Sequence, residues 1–275
     1  MLTTKQLEHI KSLQHVCEKA DQIKLKLNWD MLEKRESPEV TDFFYYDEEK
    51  LVGFLALYSF GNKVELCGMV HPDYRRKGIF TQLFKKGIEE VKKQNFSTIL
   101  LNTPSNSESG KAFLKTVPCI YFNTEYQMKW EPCELNFSKE VRIRPSETEE
   151  DFDAEVMLDV YAFGFEKSEA ISHNNQVHKG GTEGLYIIEY EGEIAGKIRV
   201  AYEDNESWIY GFAIFPEMQG KGIGRKALEL VLQMESSKGY SIFLDVDSEN
   251  PRDLHLYKSC GFQVVQGQDY YKYIA

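Results

Sequence analysis

Residues 216–224 read Pro-Glu-Met-Gln-Gly-Lys-Gly-Ile-Gly, and 144 positions earlier the chain reads Pro-Asp-Tyr-Arg-Arg-Lys-Gly-Ile-Phe. Each copy follows an apolar run, residues 208–215 and 64–70, of strand length. Each precedes a stretch with apolar residues at helix spacing: Ile223, Ala227, Val231 and Met234 in one, Ile79, Leu83, Gly87 and Val91 in the other. The same offset pairs Asn95 with Gly239 and Asn106 with Asn250. A constant offset through strand, turn, helix and strand implies duplication of a whole domain of about 135–140 residues, far longer than a solenoid repeat. Within the turn, Gly220, Gly222 and Gly224 leave backbone N–H groups unshielded at the start of a helix, a seat for phosphate or pyrophosphate.

Taken in order, residues 3–20 carry a helical stripe of Leu7, Ile10, Leu13, Gln14 and Cys17, with Thr3 or Thr4 as cap. Residues 22–36 are expected to continue as a second helix that Pro38 ends. Residues 43–46 and 51–58 read as strands around a polar turn, and residues 97–101 as a short one. The second half replays this with a hairpin, residues 186–190 and 194–202, around Glu191-Gly192. The boundary is expected within residues 132–140, giving domains of 1–138 and 139–275. Residues 141–145 then make an opening strand for the second domain, followed by an acidic helix start. The first domain has no counterpart to that strand: it is truncated there, or borrows an edge strand from elsewhere.

Charge divides between the halves: 19 Lys+Arg and 19 Asp+Glu up to residue 138, 14 and 25 after it. An acidic second half disfavours sequence-independent nucleic-acid binding. It fits a cationic partner such as an amine, or plain solubility. No apolar run approaches the roughly 18 residues of a membrane span. Five scattered cysteines without CxxC spacing argue against zinc and against a disulfide framework, so a reducing, cytoplasmic compartment is expected.

The loop at 216–224, continued by residues 244–250, Tyr257 and Gly261-Phe262, resembles the acyl-CoA loop and C-terminal signature of the GNAT superfamily of N-acetyltransferases. The whole chain resembles a tandem member. The resemblance implies an α/β (α+β) fold of two GNAT-like domains, each a central, mostly antiparallel mixed sheet flanked by helices. It implies acetyl-CoA as cosubstrate, no metal, and transfer to a primary amine of a small molecule or peptide, by a monomer or homodimer. Backbone groups of Phe212, Ala213 and Ile214 would take the pantetheine arm beside a bulge. Gln219, Gly220, Lys221, Gly222, Ile223, Gly224 and Arg225 would cradle the pyrophosphate, and Asn250 would contact the cofactor. Tyr257 matches the phenol that protonates the departing thiolate, or is a core aromatic of the terminal helix. Asp245 lies where some members carry the carboxylate that accepts the amine's proton, or is a solvated strand residue. His173, His178 and His255 read as surface histidines, and Cys260 as a small buried residue.

At an offset of 144, Tyr257 faces Phe113, Asp245 faces Leu101 and Gly224 faces Phe80. The first domain then lacks both proton-handling groups, although Arg75, Arg76 and Lys77 still surround Gly78. The second domain is therefore expected to be catalytic, while the first is structural or shapes the acceptor site, with some CoA affinity left at its loop. The competing reading is a non-catalytic acyl-CoA-binding sensor or assembly module. The acceptor is not encoded in any motif; residues 162–184, which should help shape its site, carry none.

Overall fold

Thr3 starts the first helix through a capping box with Gln6, and helix α1 (Thr4–Asp21) buries Ile10, Leu13 and Cys17 along one stripe. Gln22 ends it in the left-handed conformation at φ 53°. The helix expected over residues 22–36 shrinks to α2 (Trp29–Glu33), because Gln22 and Asn28 both sit at positive φ and break the run. In this computed structural model the described residues are 2–33, 41–60, 62–94, 96–136, 138–203 and 205–274, so the rest of that expectation, with Pro38, lies outside them, as does Asn95. There follow β1 (Asp42–Asp47), β2 (Lys50–Phe60), β3 (Lys63–Val70), α3 (Ile79–Val91), β4 (Thr98–Pro104), α4 (Glu108–Leu114) and β5 (Cys119–Trp130). The second half comprises β6 (Val141–Pro145), α5 (Glu149–Phe163), α6 (Lys167–Lys179), β7 (Leu185–Tyr190), β8 (Glu193–Glu203), β9 (Glu206–Ile214), α7 (Ile223–Ser236), β10 (Ser241–Asp247), α8 (Pro251–Ser259) and β11 (Phe262–Tyr273).

Two compact units result, Met1–Glu125 with Gln266–Ala275, and Tyr126–Val265. These bounds differ from a linear division at 138/139. The reason is strand pairing: residues 268–272 of β11 run antiparallel to β4, so the end of the chain completes the first unit. The strand taken from the far end is not the missing opening strand, since it lies beside β4, at the side of the sheet away from β1.

In the first unit β1, β2 and β3 are antiparallel neighbours and β3 pairs parallel with β4. Both faces of this sheet are apolar. One is covered by α3, whose Leu83, Ile88 and Val91 are buried, and the other by the Ile10–Leu13–Cys17 stripe of α1. Helix α3 approaches closely because Gly87 has no side chain; a methyl there would lie 2.8 Å from Leu55.

The second unit keeps the pattern, with β6 to β9 antiparallel and β10 parallel to β9. Its α7 face is apolar, with Ala227, Leu228, Val231 and Leu232 fully buried. Its α5 face is not. Asp151, Glu155 and Asp159 recur every four residues and are all buried, an acidic stripe turned inward. Each acid has a partner, as burial of charge demands. Arg144 grips Asp151 through two bonds of 2.7 and 2.8 Å, His178 meets Glu155 at 2.7 Å, and Lys197 meets Asp159 at 2.6 Å.

Arg144 and the amides of Glu147 and Thr148 hold the Asp151 carboxyl well below the usual carboxylate range, against the opposing effect of burial. A depressed folded value stabilises fully above the unfolded value of about 3.9 and is lost as pH falls through the folded one. Asp151→Asn is therefore expected to lower the urea midpoint at neutral pH, with the gap to the parent narrowing near pH 3. A gap that does not change with pH would show that the carboxylate charge is not what stabilises this corner. No helix among the described residues is long and apolar enough to cross a membrane.

Candidate functional site

The central strand of each unit parts from its parallel neighbour halfway along. Pairing of β3 with β4 stops at Leu66 and Leu101, and pairing of β9 with β10 stops at Ile209 and Leu244. Beyond those points the parallel register is not continued along residues 68–70 and 211–214. The two units differ on the other side. β2 and β3 keep one register throughout, whereas β8 and β9 slip by one residue between Lys197 and Arg199. The extra residue falls around Gly211, at φ 55°. This is a β-bulge, and it re-aims the end of the strand.

The bulge also corrects the offset between the repeats. The parallel pairs correspond at 143, not 144; the extra residue raises the offset to 144 at Pro72 and Pro216, and it returns to 143 before β4 and β10. Asp245 therefore corresponds to Asn102 rather than Leu101. Asn250 corresponds to Ser107: both are N-caps whose side chains accept from the amide three residues on, each at 3.1 Å. Tyr257 corresponds to Leu114 rather than Phe113. The absence of a phenol in the first unit survives the correction.

The loops superimpose in backbone terms. Gly78 and Gly222 cap their helices at φ 79° and 77°, and Gly220 at 79° is matched by Arg76 at 62°. The first intrahelical bonds are Gln82 N–H to Gly78 O and Lys226 N–H to Gly222 O, so the amides of residues 78–81 and 222–225 have no intrahelical acceptor. A Cβ built on Gly220 or Gly222 meets nothing within 4 Å, so the cradle is open to a ligand. The residue ahead of each loop is wired alike: Arg75 Nε donates to Val70 O, and Gln219 Nε2 to Ile214 O, both at 3.0 Å. Phe80 does not obstruct its loop. Its ring sits against Gly68, where a methyl would lie 2.8 Å away, while in the second unit Phe212 takes the strand position and Gly224 the helix position, 3.6 Å apart by the same measure. One ring fills the same gap from opposite sides.

The remaining residues singled out in the sequence distribute as follows. Phe212, Ala213 and Ile214 end β9 past the parting point. Ile223 is core, Lys221 lies over the Tyr190 ring, and the Arg225 guanidinium is turned to Ser259. Tyr257 is buried in the α7-side core, edge-on to Phe262 at 5.9 Å, and burial first, with Asp253 and Cys260, pushes its phenol above the ordinary range. Asp245 is exposed, on the face of β10 opposite Leu244 and Val246, and so across the strand from Tyr257. Among the described residues no group of three or more His, Cys, Asp or Glu is disposed to hold a metal ion.

Two cavities adjoin the parted strands. In the first unit one of about 580 Å³ lies between β3 and β4, lined among others by Met69, Arg76, Phe80, Asn102 and Phe113. In the second, one of about 340 Å³ opens on the α5 side at Tyr210 and Gly211, over Asp159, His173, Lys197 and Arg199. Of these, His173 reads from the sequence as a surface histidine, and Asp159, Lys197 and Arg199 carry no sequence signal, because they come from separate elements, α5 and β8. His178, expected at the surface, is half-buried against Glu155.

The comparisons with known proteins agree with this geometry. The model of the acetyltransferase (GNAT) family matches residues 6–115 and again 146–262. Spermidine N(1)-acetyltransferase of Escherichia coli K12 is 28% identical over 137 residues, 45% of this chain and 73% of that protein. N-alpha-acetyltransferase RimI of Mycobacterium tuberculosis is 33% identical over 101 residues, 37% of this chain and 60% of that protein. Among solved structures, a GCN5-related N-acetyltransferase from Sphaerobacter thermophilus matches with TM-score 0.80 at 17% identity, covering 96% of this chain and 91% of that one. A tandem GNAT protein from the clavulanic acid biosynthesis pathway matches with TM-score 0.67 at 15% identity, covering 99% and 96%. With both repeats matched, the chain belongs to the GNAT family of acetyltransferases and carries that family's fold twice.

Proposed function

We propose that the chain transfers an acetyl group from acetyl-CoA to a primary amine of a small molecule or peptide, and that the second unit performs the transfer. The observation that carries this reading is the bulged end of β9, which has an open anion cradle at its exit and a cavity against its Gly211. When bound, the thioester supplies an electrophilic acyl carbon and a thiolate leaving group. The amides of residues 222–225 hold the pyrophosphate, assisted by Lys221. Ala213 and Phe212 offer backbone groups to the pantetheine arm; at Ile214 the arm must compete with Gln219 for the carbonyl. Tyr257 Oη gives its proton to the thiolate. Asp245, on the other side of β10, takes the proton an attacking ammonium must shed. Asn250 fixes the start of α8 as its cap and so sets the position of Tyr257. The relatives named as spermidine N(1)-acetyltransferase and N-alpha-acetyltransferase acetylate nitrogen, in keeping with this acceptor class.

A second role belongs to the first unit. Its cradle has the same backbone form and adjoins the larger cavity, while Leu114 stands where a proton donor would be needed. It binds acyl-CoA without turning it over.

Thiol release from acetyl-CoA over a panel of amines tests the reaction, and paired loop variants test the division of labour. Asn and Asp both tolerate the left-handed backbone of residue 222, so Gly222→Asn is a neutral control for Gly222→Asp, which adds a negative charge at the cradle. Gly222→Asp is expected to raise KM for acetyl-CoA about tenfold over Gly222→Asn, roughly 1.4 kcal/mol of binding. Gly78→Asp should leave turnover near the parent's and weaken only a second, non-productive binding event. The reverse result would put catalysis in the first unit.

A further inference from the structure

The cavity at Gly211 carries information about the acceptor that neither the loop nor the fold contains. Its carboxylates are already committed. Asp159, 3% exposed, receives Lys197 at 2.6 Å and the Asn174 amide at 2.6 Å; Glu155, 2% exposed, is met by His178 at 2.7 Å. No unsatisfied anion is left to attract a second cation. Of the two cations that line the pocket, Lys197 is paired with Asp159 and Arg199 is left over. Arg199 stands two residues after Lys197 on β8, on the same face, with Tyr210 as its Cα partner across β9. It lines the cavity, half-buried, and forms no ion pair with any described residue. His173 on the rim is held below its ordinary value by burial, and Lys197 and Arg199 lower it further against the pull of Asp159, so it is a neutral hydrogen-bonding group. A half-buried guanidinium with no carboxylate is poised for a planar, bidentate anion.

We propose that this pocket takes a primary amine that also bears a carboxylate, of the size of an amino acid or short peptide, with Arg199 binding the carboxylate and Gly211 marking the end where the amine meets the acyl group. The inference rests on the second unit being the transferring one. It departs from what the net charge of this half suggests, because the two acids that line the pocket, Glu155 and Asp159, already have partners there. A polycationic acceptor would instead meet the unpaired Arg199 guanidinium at close range. The volume of about 340 Å³ lies at the small end of ligand sites, in line with a compact acceptor.

The test uses the full chain with acetyl-CoA and a set of free amino acids and dipeptides, each against its C-terminal amide, with spermidine as the polycation. The free carboxylate forms are expected to exceed their amides about tenfold in kcat/KM, the order of one charge-assisted contact. Arg199→Gln should bring that ratio close to one, with the loss appearing in KM rather than kcat, and Arg199→Lys should restore part of it. Thermal melting checks that the variants are folded. Equal turnover of acids and amides, a preference for spermidine, or a ratio that Arg199→Gln leaves intact would overturn the inference and leave the transferase reading standing. Failure of every amine to release thiol from a folded chain would overturn both.

Discussion

Replacing Tyr257 by Phe is expected to lower kcat about 100-fold while leaving KM for acetyl-CoA close to its parent value, because a positioned general acid contributes about 10²–10⁴-fold. On the proposed mechanism the substitution removes a proton donor and little else. The ring stays in the α7-side core, edge-on to Phe262. The melting temperature should therefore move by only a degree or two, since one hydroxyl is worth about 1 kcal/mol. The burial that weakens the phenol as an acid also disfavours a bare thiolate beside it, so both partners move in the same direction and the proton still has reason to transfer. With the phenol raised above its ordinary value of about 10, the donor stays protonated through that pH, and kcat should show no fall from loss of the acid up to about pH 10. A Tyr257→Phe variant retaining a third or more of parent kcat would mean that water or another group protonates the thiolate. The first unit offers an internal contrast: Leu114 occupies the same place on α4 as Tyr257 on α8, counted from the N-cap.

The repeat was legible because prolines and left-handed glycines are fixed by backbone geometry, and Pro72, Gly78, Pro216 and Gly222 all fall where the structure needs them. The bulge was not, because one extra residue in an apolar strand leaves its composition unchanged; only the cross-strand register reveals Gly211 as an insertion. That slip carried Tyr257 to Phe113 and Asp245 to Leu101 in the sequence comparison. The length of the second helical stretch failed for a local reason: residues 23–28 hold enough apolar residues for a helix, but Gln22 and Asn28 adopt positive φ. Pairing of residues 268–272 with β4 spans more than 160 positions, and no local pattern announces it. The cavity at Gly211 was the least legible part. A helix with acids every four residues reads as a solvated face, and only the folded chain brings Arg144, His178 and Lys197 to it from β6, α6 and β8.

That buried stripe yields the second large effect. Asp159→Ala is expected to destabilise the chain by about 3 kcal/mol, because removing one member of a buried pair leaves the other charge uncompensated. Lys197 is 12% exposed in its side chain and would keep only the Glu155 carbonyl, at 3.2 Å. Asn174 would lose one of two acceptors and keep Ala170 O at 2.9 Å, so its share of the loss is smaller. The pair as a whole need not be net stabilising, since desolvation of two ions offsets most of their attraction. Asp159→Leu combined with Lys197→Met should therefore recover most of the loss, and the urea midpoints of parent, single and double variants decide the point. A cost under about 1 kcal/mol for Asp159→Ala would mean that water reaches the ammonium and the stripe is not a dry one. Full recovery of stability in the double variant, together with a fall in transfer to carboxylate-bearing amines, would separate two roles. The charges would then serve to hold Arg199 in a polar pocket wall, and the fold would need only the volume they fill.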